Sequence, residues 1–366
     1  MFDTIIVGAG AIGMMTAQLL TQQGQSVVLI EKGKVGAESS WAGGGILSPL
    51  YPWRYTDAIN NLARWSQIHY PDFLNKLTYD TGIDSEYLHS GLLIRNVDGQ
   101  KAEIESWLKK QHNETAFVSA AECHEIEPFC NDSKGGSLWL PAIGQVRNPR
   151  FVKALHQLMK FSEITIHDNN EVLEIITKNN QFTSVRTTTG IIKAKNLIIA
   201  SGAWSGELFN NLDSSQKPAV EINPVRGQMM IIKTPPNTLK RIILDRDHYL
   251  IPRKDGRVLI GSTLEFVGFD KSTTIEAHNL LLEAAISIAP GLSDYPVEYH
   301  WAGLRPGTTE GVPYISQHPN ITGVYINSGH YRNGIVLGLA SAQLMTDILL
   351  DNPSILDIEP YRCKSY

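Results

Sequence analysis

The chain has 366 residues, 42% hydrophobic and 19% charged, with a formal net charge of -5. This is an ordinary globular composition, long enough for two domains. The acidic balance, with no run of five Lys or Arg, argues against nucleic acid as a partner. The most apolar stretches, residues 4–15 and 334–350, are shorter than the roughly 20 residues of a membrane span, so no stable membrane insertion is expected. Cys123, Cys130 and Cys363 form no CxxC pair. That sparse count, and a chain opening on a strand with no signal-like segment, suggest a cytoplasmic protein.

Residues 4–7 are an apolar run of strand length. Gly8, Gly10 and Gly13 follow with G-x-G-x-x-G spacing, then a helical pattern at Ile12, Met15, Leu19 and Leu20. A second strand, 27–30, ends in Glu31. This order predicts a dinucleotide site. Gly8 permits the tight turn, Gly10 admits a pyrophosphate, and Gly13 lets helix and strand pack closely. The helix N-terminus offers free N–H groups, and Glu31 can accept from ribose hydroxyls. NAD and FAD are both compatible with this opening.

Next comes "ESSWAGGGILSPLYPW", residues 38–53, a glycine run among aromatics. A helix is expected over 57–81, with Trp65, Ile68, Phe73 and Leu77 on one face. A strand is expected at 91–95, and helices at 102–110, at 120–128 with Ser119 as N-cap, and at 149–161. Residues 171–205 read as four β-rich runs, the last ending in Ser201-Gly202-Ala203-Trp204. Strands follow at 225–233, 249–253, 257–262 and 299–304, with a helix at 274–289. The end of the chain reads strand, glycine turn, then a helix from about Gly334. Both ends thus aim a helix N-terminus across a glycine turn. Hairpins fill the middle. The expected class is α/β, with a Rossmann-like nucleotide domain from 1–85, 143–210 and 318–366. A substrate domain with a mostly antiparallel sheet, 86–142 and 211–317, is inserted into it.

There is no GxSxG, no HExxH and no Cys/His cluster, so triad hydrolysis and a metal site lack support. His330 stands alone in its turn, and the first reading of a solitary histidine is structural. Arg305 in "WAGLRPGT" and Arg332 in "SGHYRNG" lie in glycine-flanked turns at strand ends. Either alone could be an ion-pair residue; together they suggest a carboxylate clamp, with Tyr249 as a third donor. A clamp beside a redox cofactor points to oxidation of an amino or hydroxy acid.

The segments "IIVGAGAIG", "ESSWAGGGILSP", "NLIIASGAWS", "HYLIPRKDGRVLIGST", "WAGLRPGT" and "GHYRNGIVL" occur in one order along the whole chain. In this the chain resembles the flavin-dependent D-amino acid oxidase family, most closely its glycine-oxidising, thiamine-pathway branch. The resemblance implies a glutathione-reductase-type FAD domain and noncovalent FAD. It puts Ala11 and Ile12 at the pyrophosphate, and Glu31 and Lys32 at the ribose. Ser39, Ser40, Gly44, Gly45 and Ile46 would line the path to the ring. Val172 would offer backbone to the adenine, and Gly202 adds a second glycine turn. His330, Tyr331, Arg332, Asn333, Gly334, Ile335 and Val336 would approach the pyrimidine end of the flavin. Arg305, Tyr249 and Arg332 match substrate-site positions. Ile46, Leu47, Tyr51, Trp53, His248 and Leu264 are assigned to the substrate pocket.

The implied reaction is hydride transfer from the α-carbon of glycine to flavin. Sarcosine and small D-amino acids are possible further substrates. The imine would hydrolyse to oxo acid and ammonia, and O₂ would become hydrogen peroxide. The product would feed thiazole synthesis. A homo-oligomer is possible. The alternative is a bulkier D-amino or imino acid with a non-oxygen acceptor, suggested by the aromatic "PLYPWRY"; a noncatalytic flavoprotein is a third reading.

Overall fold

The structure, a computed structural model, describes residues 1–110, 115–133, 135–162, 164–213 and 220–363. The chain opens with β1 (Phe2–Val7), α1 (Ala11–Gln22), β2 (Val27–Ile30) and a one-turn helix, α2 (Ser39–Ala42). Then come α3 (Asp57–Thr81), β3 (Leu92–Arg95), α4 (Lys101–Leu108), β4 (Ala116–Val118), α5 (Ala120–Ile126) and β5 (Ser137–Leu140). The middle holds α6 (Asn148–Phe161), β6 (Thr165–His167), β7 (Val172–Lys178), β8 (Gln181–Thr187), β9 (Gly190–Ile199) and α7 (Ser205–Asn210). The rest is β10 (Asn223–Lys233), β11 (Ile242–Asp245), β12 (His248–Pro252), β13 (Arg257–Gly261), α8 (Ile275–Ile288), β14 (Val297–Gly307), β15 (Tyr314–Gln317), β16 (Val324–Ser328) and α9 (Gly334–Leu350).

Among the described residues the strands form two eight-stranded sheets. In the first, the order is β15-β16-β9-β1-β2-β6, with β7 and β8 added through β9. β1 runs parallel to β2 and to β9, and β9 runs parallel to β16. Helices α1, α3, α6 and α9 cover one face. This is the α/β nucleotide fold expected from the sequence. Among the described residues no helix is long and apolar enough to cross a membrane.

β9 was expected as two runs and is one strand. Its first half, Gly190 to Lys193, pairs with β8, while Ala194 and Asn196 to Ile199 pair with β1. One strand serves two partners, so its apolar pattern changes midway. β15 also departs from expectation. It pairs with β16 in the first sheet, so the chain returns there by Tyr314 rather than after residue 317.

The second sheet runs β14-β10-β13-β12-β11-β3-β5-β4 and is antiparallel apart from the β11–β3 pair. Its side chains alternate strictly. Met229, Leu244, Tyr249, Ile251 and Leu259 face one core, while Met230, Ile243, Leu250, Val258 and Ile260 face the other, under α8.

α3 spans its expected range, but its buried stripe is Ile59, Leu62, Ala63, Ser66, Tyr70, Leu74 and Leu77. Ile68 is exposed. The stripe includes polar residues because α9 satisfies them. The Ala340 N–H donates to the Ser66 hydroxyl at 3.0 Å, and the Tyr70 hydroxyl donates to the Ile335 carbonyl. Those bonds tie α3 to the first two turns of α9.

The Gly8–Gly13 turn has no spare space. Gly8 has φ +107°, and a Cβ there would lie 2.5 Å from the Ala200 carbonyl oxygen. A Cβ on Gly13 would lie 2.0 Å from the Gly8 carbonyl oxygen. Gly13→Ala is therefore expected to cost about 1–3 kcal/mol by overpacking. Thermal unfolding would check this; an unchanged midpoint would mean the turn can yield.

Candidate active site

A cavity of about 350 Å³ runs between the sheets, from the C-terminal ends of β1, β2, β9 and β16 to the face of β10, β12 and β14. Ligands bind outside carboxyl strand ends where crossovers diverge, as they do here on either side of β1.

At the nucleotide end, Gly8, Gly10, Ala11, Ile12, Glu31, Lys32, Val172 and Gly202 all line the wall. Gly13 does not; it supports the turn from behind. The Glu31 carboxylate accepts from the Ala9 N–H at 2.9 Å and the Gly33 N–H at 3.1 Å, which fixes it at the end of β2. The Lys32 ammonium sits 3.4 Å above the Trp204 ring, which stacks on Phe269. Burial lowers the Lys32 pKa, partly offset by Glu38, Glu171 and Glu31.

Ser39 and Ser40 differ in what they can offer. Ser39 donates its only proton to the Leu304 carbonyl, at 2.6 Å. Ser40 accepts from the Ala11 N–H at 2.9 Å and keeps its proton free for an acceptor.

The glycine run is crowded by the protein itself. A Cβ on Gly43 would meet the Asn148 amide at 2.9 Å, and one on Gly44 would meet Ile251 at 2.8 Å. On Gly45, where φ is +78°, it would meet the Val146 carbonyl oxygen at 2.1 Å. Gly44 and Gly45 still line the cavity. The loop is held from below by Arg253, a residue not singled out from the sequence. Its guanidinium donates to the carbonyls of Gly44 (2.7 Å) and Val146 (3.0 Å) and to the Gln145 side chain (2.6 Å).

At the far end, the Arg305 guanidinium donates to the carbonyls of Arg226 (3.3 Å) and Thr263 (3.1 Å) and to the Ser262 hydroxyl (2.6 Å). Gly227 makes room for it: a Cβ there would lie 2.2 Å from an Arg305 nitrogen. Gly261, opposite Tyr249 in the β12–β13 ladder, does the same for that ring, with a Cβ 2.5 Å from its hydroxyl oxygen. Burial lowers the Arg305 pKa, Tyr249 opposes the shift and Arg332 adds to it. An arginine starts so high that it stays charged at neutral pH. Arg305, Tyr249 and Arg332 are thus brought to one chamber, with Ile46, Leu50, Met229 and Ser262.

Five expected pocket residues lie elsewhere. Leu47 follows Ile46 and points the other way, into the core beneath α3. His248 precedes Tyr249 on β12, so strand alternation puts it on the opposite face. Leu264 lies beyond β13 and is 42% exposed. The Tyr51 hydroxyl donates to the Arg246 carbonyl at 2.5 Å, and the Trp53 indole N–H donates to Gln100 at 3.0 Å. Both rings belong to the core of the second sheet, behind the wall. Val336 is likewise buried in a core. The missed residues Gly227 and Gly261 did carry a signal. Each is an isolated glycine inside a strand pattern, which marks close approach.

A model of the FAD dependent oxidoreductase family (DAO) matches residues 3–348. The chain belongs to that family. It is 40% identical to a glycine oxidase of Pseudomonas aeruginosa, over 98% of this chain and 97% of that one. It is 30% identical to the bifunctional protein ThiO/ThiG of Trichormus variabilis, over 96% of this chain and 53% of that protein. A crystal structure of glycine oxidase from Geobacillus kaustophilus matches with a TM-score of 0.93 at 26% identity, covering 100% of this chain and 99% of that one.

The residues fit the family's cofactor, FAD. Asn148 Oδ1, Asn170 Nδ2 and Asn333 Nδ2 are buried without a partner, and all three residues belong to the cavity wall. They sit where a long polar ligand would satisfy them. The N-termini of α1 and α9 face the same space, through Ala11 and through Gly334 and Ile335. Among the described residues no cysteine lines the cavity, which suits noncovalent FAD.

His330 belongs to a buried chain rather than to the chemistry. The Ser341 hydroxyl donates to Asn327 Oδ1 at 2.5 Å, so His330 Nε2 must be the donor in its 2.7 Å bond to Ser341. Burial pushes the His330 pKa down to about 3. The unfolded chain therefore takes up a proton near pH 6.5 that the folded protein refuses. This contribution is present above pH 6.5 and is lost as pH falls towards 3. His330→Gln should narrow the gap in unfolding midpoint between pH 7.5 and 4.5. An equal gap in both proteins would remove His330 as the cause. For Arg253→Met, weakened FAD retention is expected, read from the flavin-to-protein absorbance ratio after gel filtration; full retention would show that the loop holds itself.

Proposed function

We propose that the protein oxidises glycine, with sarcosine and small D-amino acids as further substrates, using noncovalent FAD. The observation that carries this is the state of Arg305. Three of its five N–H groups are bonded to protein, leaving Nε–H and one Nη2–H for a single carboxylate. Tyr249 flanks the guanidinium and adds a hydroxyl. Two guanidinium groups in one chamber also disfavour a third positive charge, so they shift a bound ammonium towards the neutral amine. A neutral amine has the lone pair that loss of an α-hydrogen requires. Bound FAD supplies the two-electron acceptor. No acid or base faces the chamber among Ile46, Leu50, Met229 and Ser262, and positioning supplies most of the catalysis.

We take O₂ as the final acceptor, giving hydrogen peroxide, while the imine hydrolyses to oxo acid and ammonia. Likeness to a protein named ThiO/ThiG supports supply to thiazole synthesis. The three free thiols suit a cytoplasmic setting. A bulkier substrate loses its motive, because Tyr51 and Trp53 lie behind the wall.

The FAD-loaded protein should produce peroxide from glycine. Arg305→Ala should lower kcat/KM by about a hundredfold, from the roughly 2–5 kcal/mol that truncating a buried charged partner costs, while the flavin spectrum persists. Unaltered kinetics with bound flavin would reject the clamp.

A further inference from the structure

The segment between β13 and α8 leaves the second sheet and returns to it. Both feet of this excursion are held by Arg226 of β10, which is 4% exposed. Its guanidinium donates to Glu265 at 2.5 and 3.1 Å, to Asp270 at 2.5 Å and to the Ser272 hydroxyl at 3.2 Å. Gln228, two residues on in β10, donates to Glu265 at 3.0 Å and accepts from the Thr274 N–H at 2.9 Å. The feet are thus secured on the second sheet, while two side chains reach across to the other half of the molecule. Phe269 stacks on Trp204, with ring centroids 5.4 Å apart, and Lys271 pairs with Glu38 at 2.8 Å. Trp204 follows β9, and Glu38 precedes α2. Both line the nucleotide end of the cavity, where the Lys32 ammonium also lies over the Trp204 ring. Phe266, at the tip of the excursion, is 76% exposed.

We propose that residues 265–272 form a strap that keeps FAD in place, with Phe269 and Lys271 as positioning residues acting through Trp204 and Glu38. The cavity lies between the two sheets, so a long ligand leaves only when its walls part. The bonds from Arg253 to Gly44 and Val146 join the halves along the glycine loop. The strap joins them at the nucleotide end. Phe269 sets the Trp204 ring, and that ring carries Lys32. Freeing Phe269 therefore loosens a stretch of cavity wall, not one contact alone. A stacked aromatic pair holds more firmly than a half-exposed ion pair, so Phe269 supplies most of the hold and Lys271 makes it salt-dependent. The inference rests on FAD as the cofactor and not on which amine is oxidised.

The test dilutes the FAD-loaded protein and follows release by the change in flavin fluorescence. Phe269→Ala should release FAD about tenfold faster than wild type. Phe269→Tyr, which keeps a ring, should stay within about twofold of wild type. Lys271→Gln should release about twofold faster. Phe266→Ser, on the same strap but turned to solvent, should release at the wild-type rate. Salt at about 1 M should speed the wild type more than Lys271→Gln, because it screens the Lys271–Glu38 pair. Far-UV circular dichroism over the same time course should stay flat, which separates opening of the strap from unfolding. A wild-type release rate in Phe269→Ala, equal acceleration by Phe266→Ser, or release that keeps pace with loss of helix overturns the inference. Should Phe269→Ala fail to fold, Lys271→Gln and its salt response decide the matter. A wild-type protein that holds no FAD defeats the cofactor reading and the strap with it. Tight FAD with unaltered release in the variants defeats the strap alone.

Discussion

Arg253 joins the two halves of the molecule using neutral oxygen atoms alone. It rises from β12, is 6% exposed, and bonds the loop carbonyls of Gly44 and Val146. Burial pushes its pKa down to about 10, with Arg147 adding to the shift. A buried cation without a carboxylate is costly, and only a full set of acceptors makes it tolerable. The glycine loop supplies those acceptors. Its carbonyls therefore turn down towards the second sheet, and the opposite side of the loop is left to face the cavity. The shape of the path between nucleotide and substrate ends depends on that exchange.

Charge is sorted along the cavity. Acids and Lys32 gather where hydroxyls and an adenosine would lie. Guanidinium groups gather where a carboxylate would lie. Between them, the cavity wall holds Ser40, Asn148 and Asn333, each with a polar group that no protein atom satisfies. A buried polar group without a protein partner is costly, and a bound polar cofactor is what would offset it. The same logic separates His330 from catalysis. Its Nε2–H is already bonded, inside a chain that ties β16 to α9, and its burial keeps it neutral.

Glycines make space for rigid side chains as much as for ligands. Gly227 and Gly261 clear room for Arg305 and Tyr249, so both stand in the chamber without freedom to drift. Leu304 accepts from Ser39, and Ala42 accepts from the Trp301 indole at 3.0 Å. These bonds pin β14, and with it Arg305, to the nucleotide loop.

The sequence by itself determined the nucleotide opening and the α/β class, and it singled out Arg305, Tyr249 and Arg332, which the fold brings to one cavity. Gly13 and the Glu31 side chain are set by contacts within some thirty residues, and such local geometry leaves a fixed spacing, whereas Gly8 is also crowded by the distant Ala200. α3 and β2 kept their expected bounds because period and caps are local too. The tertiary structure alone decided which side chains face the chamber. His248 and Tyr249 are neighbours in sequence, and only the register of β12 in its sheet sends one inward and the other away. Tyr51 and Trp53, assigned to the substrate pocket from the sequence, belong to the core, because the second sheet offers them an apolar face and hydrogen-bond partners. Arg253 carries no mark in the chain, whereas Arg332 stands out in a glycine-flanked turn. Folding surrounds one with carbonyls and leaves the other facing the cavity with its charge unpaired.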